Sequence, residues 1–414
     1  MEQAHSFFSF PYCSIPLDSA IEILLAHSAG PQGSSGVSLL EALSRIAGKD
    51  LHARIDLPPF DNSPLDGFAL RHSDSAGASK EKPVLLRVVE TIYAGDLPRK
   101  ALSRGECARV MTGAPLPPGA TCVIPFEDTD NQPHTVGLFH PLEAHQNYRF
   151  HGEDVRQGQG ILRQGERISG AHLGLLAAQG FTEVPVFARP QVGILSTGTE
   201  LMSGPEPLSP GKIYDSNRYL LAARVAALGA QPFCSPKIPD DPALIAQALE
   251  ELLKTCHCVI TTGGVSVGAH DYMPQAGSYI GAQPLFRQVQ MKPGGWVTAL
   301  YKDAVIILCL SGNPGAAAMS FDLLAGPLIR HLAGAAVVRP PQLLGVLQDP
   351  FSKTSPQNRF LYARQEGRDV FLPRTGFGSG LLSSLIGCNC IVHIPAGSPA
   401  LHPGDTVELI PLSA

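Results

Sequence analysis

The sequence predicts a multidomain α/β-plus-β protein. Short apolar strands alternate with helical stretches between residues 190 and 332, the pattern of βαβ units and a parallel sheet. Three of those strands break into glycine-rich turns: Ser196-Thr197-Gly198-Thr199-Glu200, Thr262-Gly263-Gly264-Val265-Ser266-Val267-Gly268 and Ser311-Gly312-Asn313-Pro314-Gly315. Outside this stretch, short strand-like runs are punctuated by many of the 42 Gly and 37 Pro, which favours β modules over a helical bundle. A chain of 414 residues allows roughly two to four domains.

Taken in order, residues 15–47 read as helical patches around a Gly/Ser loop at 30–36, with Ser38-Leu39-Leu40-Glu41 as a capped helix start. Residues 57–143 carry strand candidates such as 84–89 and 122–126. Residues 158–180 return to short pieces, with 172–179 helical. From Pro190 the expected order is strand 192–196, helix 216–228, strand 232–238, helix 242–254, strand 259–262, strand 305–310 and helix 316–332. Residues 334–341 read as a linker, and the remainder has the composition of a small β-barrel.

A net charge of −5 argues against non-specific nucleic-acid binding, which needs clustered Lys and Arg. The first 13 residues lack the basic segment of a secretory leader, and the longest apolar run, 304–310, is far below the ~20 residues of a membrane helix. A cytoplasmic protein without membrane contact is therefore expected. Nine cysteines without a CxxC pair read as buried free thiols in a reducing compartment. The pairs Cys256/Cys258 and Cys388/Cys390 are spaced to share a strand face. Zinc sites space their ligands more widely than Cys256-His257-Cys258 does.

Acidic residues gather at the glycine turns: Asp61, Asp66, Glu153, Asp154, Glu200, Asp240, Asp241 and Asp271. Singly, Asp before Gly forms turns and Asp before Pro caps helices, so each has a structural reading beside a chemical one. Glu200 and Asp271 both follow strand ends on one sheet edge, where open α/β sheets bind ligands. Two hard-oxygen ligands there suit Mg²⁺, which binds through one or two carboxylates plus substrate phosphate. Lys292 and Arg359 are either solvated charges or, with Ser266 and the loop amides, one side of an oxyanion pocket. The glycine turns match neither G-x-x-x-x-G-K-[ST] nor G-x-G-x-x-G, and no G-x-S-x-G or H-E-x-x-H occurs.

These motifs together resemble the MoeA/gephyrin-E family, the molybdopterin molybdenumtransferases of molybdenum-cofactor biosynthesis. The matching segments run in the family's order from Leu57-Pro58-Pro59-Phe60-Asp61-Asn62-Ser63 and Asp66-Gly67, through Met111-Thr112-Gly113-Ala114-Pro115 and Gly152-Glu153-Asp154-Val155. They continue with the first two glycine turns, Ile213-Tyr214-Asp215-Ser216-Asn217, Asp271-Tyr272, Met291-Lys292-Pro293-Gly294 and Gly312-Asn313-Pro314.

The resemblance implies a discontinuous linker domain (1–55 and 150–188), an inserted β domain (56–149), a MogA-like parallel-sheet α/β domain (189–335) and a C-terminal β-barrel (336–414). It implies Mg²⁺-dependent insertion of molybdate into adenylylated molybdopterin with release of AMP, by a homodimer whose active site is completed across the interface. A MogA-type adenylyltransferase and apo-molybdoenzymes are the partners implied. Carried onto this chain, Asp66, Thr112, Asp154, Glu200, Asp241 and Asp271 are the catalytic positions, with Glu200 and Asp271 on the metal. Ser266, Lys292, Asn313, Arg359 and Ser383 hold the oxyanion or the pterin phosphate.

The chain also departs from the family. Where the family reads Lys-Pro-Gly-Lys-Pro, this chain has Lys292-Pro293-Gly294-Gly295-Trp296. Where it reads Pro-Gly-Asn-Pro-Val-Ser, this chain has Ser311-Gly312-Asn313-Pro314-Gly315-Ala316, and Gly-Arg becomes Asn358-Arg359. One ammonium and one hydroxyl are missing from a pocket for a doubly charged anion, each able to supply a charge-assisted bond of roughly 1.5–3 kcal/mol. The alternative to a working transferase is thus a relative that binds molybdopterin or a partner without inserting metal. Molybdate and tungstate are nearly isosteric and not distinguished.

Overall fold

The computed structural model describes residues 14–264, 272–374 and 376–412. The chain divides into two compact units, one of 1–49, 164–168 and 183–414, the other of 50–163 and 169–182.

The larger unit is built on a six-stranded sheet in the order Gln231–Cys234, Gln191–Ser196, Cys258–Thr262, Val305–Leu310, Thr298–Lys302, Gln283–Phe286. The first four strands are parallel. The last two run antiparallel, so the expected parallel sheet carries an antiparallel edge. That edge arises because Lys302 and Val305 pair across a two-residue turn in which Asp303 and Ala304 both take positive φ (50° and 66°). Such a turn folds the chain straight back, whereas a parallel neighbour needs a long crossover.

Helices cover both faces of the sheet. Leu17–His27, Asn217–Ala227 and the run 314–332 pack on one face, through Leu24, Leu221, Phe321 and Leu328 against Ile194, Ile260 and Leu308. Pro242–Leu253 and Tyr272–Tyr279 pack on the other, through Ile245, Leu249 and Met273 against Leu195, Val259 and Ile307. The central strands are buried beyond their first residue, which explains why they read as continuous apolar runs rather than alternating ones. The run 314–332 widens at Phe321–Ala325 into a π-helical turn.

Leu343–Leu347, Arg359–Glu366, Asp369–Phe371, Cys390–Ile394 and Thr406–Pro411 close a five-stranded barrel around Leu361, Ala363, Val392 and Leu409. Ser34–Ser38 pairs antiparallel with Glu183–Phe187. The expected helix at Ser38 is a single turn: Ala42 N–H donates to Ser38 O (3.0 Å), and Ser38 Oγ donates to Glu41 (2.6 Å). The cap forms, but Leu40 and Leu43 are exposed and Ser44 turns to positive φ. With no apolar face to bury, one turn does not propagate.

The smaller unit holds a five-stranded sheet, Cys122–Pro125, Gly67–Leu70, Glu106–Val110, Val84–Ile92, Thr135–Leu138, with apolar clusters on both faces. A helix, Gly170–Ala178, is capped at Ser169, whose Oγ accepts from His172 N–H.

Among the described residues no helix is long and apolar enough to cross a membrane. The eight described cysteines are thiols, not disulfides. Burial pushes the thiols of Cys107, Cys122 and Cys258 up to about 12, so none is poised as a nucleophile. The close pairs do not share a face. Cys256 and Cys388 precede their strands, and each joins a different apolar cluster from its neighbour.

Candidate active site

The chain crosses from Gln191–Ser196 outward to Gln231–Cys234, then back past its first strand to Cys258–Thr262. This reversal opens a crevice at the carboxyl ends of the two inner strands, the usual ligand position in such sheets. The first and third glycine turns and the start of the second, Thr262–Gly264, meet there and are joined by backbone bonds. Thr197 N–H donates to Thr262 O (3.0 Å), and Gly263 N–H donates to Leu310 O (3.3 Å). Gly263 has φ +92°, and a Cβ on it would lie 2.3 Å from Thr197 O, so only glycine fits between the first two turns.

Two adjoining cavities occupy this edge. One, of about 670 Å³, is lined by Thr197, Glu200, Asp215, Asn217, Gly263, Gly264 and Pro314 among others. The second, of about 660 Å³, is lined by Gln290, Lys292, Gly294, Ala316, Asn358 and Ser379 among others. Trp296, Ser311 and Asn313 belong to both.

The first cavity carries carboxylates. Glu200 is exposed on it, its carboxylate folded back over the open side of Gly198, 2.6 Å from where a Cβ would stand. Glu200 and Asp215 bracket a two-residue parallel pairing, Leu201 with Ile213 and Met202 with Tyr214. Glu200 O accepts from Ile213 N–H (3.0 Å), and Asp215 N–H donates to Met202 O (3.0 Å). Asp215 accepts from Arg218 N–H (3.1 Å) and is 9% exposed. Asn217 Nδ2 donates to Gly312 O (2.8 Å), tying the helix after Asp215 to the third turn.

The second cavity carries the cation. Lys292 is exposed and pairs in parallel with Arg359 at the barrel's edge: Lys292 N–H donates to Asn358 O and Phe360 N–H to Lys292 O (both 2.9 Å). Arg359 packs its guanidinium 5.4 Å from the Phe351 ring, and its Nε is buried with no partner. Ser320 Oγ donates to Gly294 O (2.8 Å) and to Ala316 O (2.9 Å), pinning the Lys292 turn to the helical run beneath it.

The two departures differ in kind. Ala316 lines the second cavity, so a hydroxyl there would reach it. Gly295 offers no such space: a Cβ would lie 2.4 Å from Met291 O and 2.6 Å from Val289 O. A lysine at this position would therefore need the turn to take a different backbone path.

Of the residues singled out from sequence, Glu200, Lys292 and Asn313 lie on these two cavities, and Arg359 adjoins Lys292. Asp241 is the N-cap of Pro242–Leu253, its Oδ1 accepting from Ala243 N–H (2.8 Å) and Leu244 N–H (3.1 Å), and it lines neither cavity. Its neighbour Asp240 instead accepts from Thr199 N–H (2.9 Å) and so holds the first glycine turn. The Asp-Pro rule accounts for Asp241 as a cap, whereas the reach of Asp240 to Thr199 has no local signal in the sequence. Ser383 is exposed in a short 3₁₀ turn and lines neither cavity. Ser266 and Asp271 lie outside the described residues. Asp215, inside the Ile213–Asn217 motif but not among the expected site residues, lines the first cavity, and Trp296 lines both.

The smaller unit holds the other three. Asp66 Oδ1 accepts from Thr112 N–H (2.7 Å) and Thr112 Oγ1 (2.8 Å), and Asp154 is exposed, its N–H donating to Leu57 O (3.0 Å). The Thr112 backbone amide, followed by its hydroxyl, holds the Asp66 carboxyl below the usual carboxylate range. That contribution favours folding above the ordinary carboxylate range and fades as pH falls through the lowered value. A Thr112→Val chain is expected to titrate Asp66 higher than the parent, yet still below an ordinary aspartate, because the amide donor survives. NMR titration of the carboxyl checks this, and an unmoved titration removes the hydroxyl from the account.

Three family models match the chain: the MoeA N-terminal region (domain I and II) over residues 15–180, a probable molybdopterin binding domain over 193–331, and the MoeA C-terminal region (domain IV) over 345–412. The chain is 34% identical over 399 residues to a molybdopterin molybdenumtransferase of Staphylococcus aureus, covering 96% of this chain and 95% of that one. It is 35% identical over 403 residues to the protein of that name from Bacillus subtilis, covering 96% and 94%. Its fold matches the molybdopterin biosynthesis moeA protein of Pyrococcus horikoshii with a TM-score of 0.83, at 28% identity over 96% of this chain and all of that one.

Proposed function

The chain belongs to the MoeA family, and from that premise we propose that it is a molybdopterin molybdenumtransferase which takes adenylylated molybdopterin and molybdate, depends on Mg²⁺ and releases AMP. The observation that carries the reading is the pair of joined cavities at the sheet's carboxyl edge, one bearing Glu200 and Asp215, the other Lys292. A substrate with a phosphate-linked nucleotide and an incoming oxyanion needs a metal-binding end and a cationic end, and adjoining cavities with carboxylates on one and an ammonium on the other support that reading.

The donor chemistry fits the metal. Mg²⁺ takes one or two carboxylates and fills the rest of its shell with water and substrate phosphate. Glu200 and Asp215 offer hard oxygens on one cavity, two carboxylates that would leave the rest of the shell to water and phosphate. Mg²⁺ bound there would neutralise the phosphate as its bond breaks. Lys292 would attract and orient the oxyanion, and the Asn313 turn would hold the groups between. We read the chain as four parts, divided near residues 56, 150, 189 and 336, acting as a homodimer.

Purified protein incubated with adenylylated molybdopterin, molybdate and Mg²⁺ is expected to release AMP in step with cofactor formation, and chelation of the metal to stop both. Pterin binding without AMP release would favour the second reading, a non-inserting relative, for which the absent ammonium and hydroxyl at 295 and 316 speak.

A further inference from the structure

We propose that Trp296 is the stacking platform for the planar nitrogen heterocycle of the substrate, an inference that rests on the molybdopterin reading above. Trp296 is the chain's single tryptophan and is 44% exposed. It lines both cavities, where they also share Ser311 and Asn313. Trp296 is thus shared by the cavity that Glu200 lines and the one that Lys292 lines.

The indole stands on a fixed backbone. Gly295 O accepts from Val289 N–H (2.9 Å) and Val297 N–H (3.1 Å), and Val297 is buried. The space a side chain at 295 would fill is closed by two carbonyls. The ring therefore sits on a rigid support with its exposed surface toward the cavities. The other aromatic on the first cavity, Tyr214, spends its hydroxyl on Glu206 O (2.6 Å) and lies on the first cavity alone. Among the described lining residues the remaining apolar contacts are aliphatic, such as Leu201, Ile213, Pro293 and Pro356, and Trp296 is the aromatic ring common to both cavities. Stacking of a heterocycle on an aromatic side chain is lost on truncation to alanine and largely kept by another aromatic.

Both the pterin and the adenine of the proposed substrate are planar nitrogen heterocycles, so the test separates them. Calorimetric titration of the parent chain, Trp296→Phe and Trp296→Ala with adenylylated molybdopterin, AMP, a free pterin and molybdate is the experiment. Trp296→Ala is expected to weaken adenylylated molybdopterin about tenfold or more, Trp296→Phe to retain most of the affinity, and molybdate binding to be the same in all three. Weakened AMP assigns the adenine and weakened free pterin assigns the pterin. Equal affinity of the parent and Trp296→Ala chains for adenylylated molybdopterin overturns the stacking role and leaves the transferase reading in place. A parent chain that does not bind adenylylated molybdopterin overturns both.

Discussion

Replacing Asp322 with alanine is expected to destabilise the larger unit by about 3–5 kcal/mol, the usual cost of leaving a buried charge without its partner. Asp322 sits in the π-helical turn of the run 314–332 and is 13% exposed; Arg224, 19% exposed, forms an ion pair with it. Tyr362 Oη, from the barrel, donates to the same carboxylate (2.6 Å), and the Arg224 guanidinium lies 5.6 Å from the Tyr362 ring. One carboxylate thus joins a helix of the α/β domain, the helical run behind the site and a barrel strand. Burial pushes the Asp322 carboxyl up, and the Arg224 charge and Tyr362 hydroxyl oppose it. Removing the carboxylate leaves Arg224 and the Tyr362 hydroxyl facing each other in a nearly closed space.

The chain's composition gives a clean readout. Its only tryptophan, Trp296, lies in the larger unit, so urea unfolding followed by tryptophan fluorescence reports that unit alone. A loss below about 1 kcal/mol would mean that water already compensates Arg224. An Arg224→Met, Asp322→Leu chain is expected to recover much of the loss, because apolar pairs of similar volume often replace buried ion pairs without penalty.

The features that locate the site were legible because they are local. A glycine that alone fits against a facing carbonyl, as Gly263 does against Thr197 O, leaves its mark in the sequence. The helix at Pro242 was legible for the same reason, since Asp-Pro is a cap followed by a first turn. What was not legible depends on partners distant in sequence. The Asp-Pro pair marks Asp241 as a cap, but nothing local in the sequence sends Asp240 to Thr199, 41 residues away. The antiparallel edge was hidden because Asp303 and Ala304 make its turn without glycine. The Ser38 cap was legible but its helix was not real, since nothing in the cap reports that Leu40 and Leu43 face solvent. Gly295 looked like a deleted ammonium, and its true constraint, two carbonyls contributed by its own turn, is a matter of backbone path.

That last point yields an expectation opposite to the one composition suggests. Restoring the family's lysine with Gly295→Lys is expected to lower molybdate affinity and stability together. A charge-assisted bond from the new ammonium offers roughly 1.5–3 kcal/mol at best. Against it, forcing a side chain into a filled space costs typically about 1–3 kcal/mol, and here the contacts are backbone oxygens at 2.4 and 2.6 Å rather than yielding side-chain ends. Val289 and Gln290 are also tied to the parallel pairing of Ser14–Ile15 with Gln288–Val289, where Gln290 N–H donates to Ile15 O (2.8 Å). The turn can make room only by moving as a piece, and it carries Lys292 and Trp296 with it. The ammonium gained would be set against displacement of the cation already present. Gly295→Ala separates the two effects, since it adds the colliding Cβ without charge and should cost about 1–3 kcal/mol in the same fluorescence-detected unfolding. Both chains compared with the parent by molybdate calorimetry decide the matter: if Gly295→Ala is as stable as the parent, or Gly295→Lys binds molybdate more tightly, the turn is free to accept a side chain and the backbone account of the missing lysine fails.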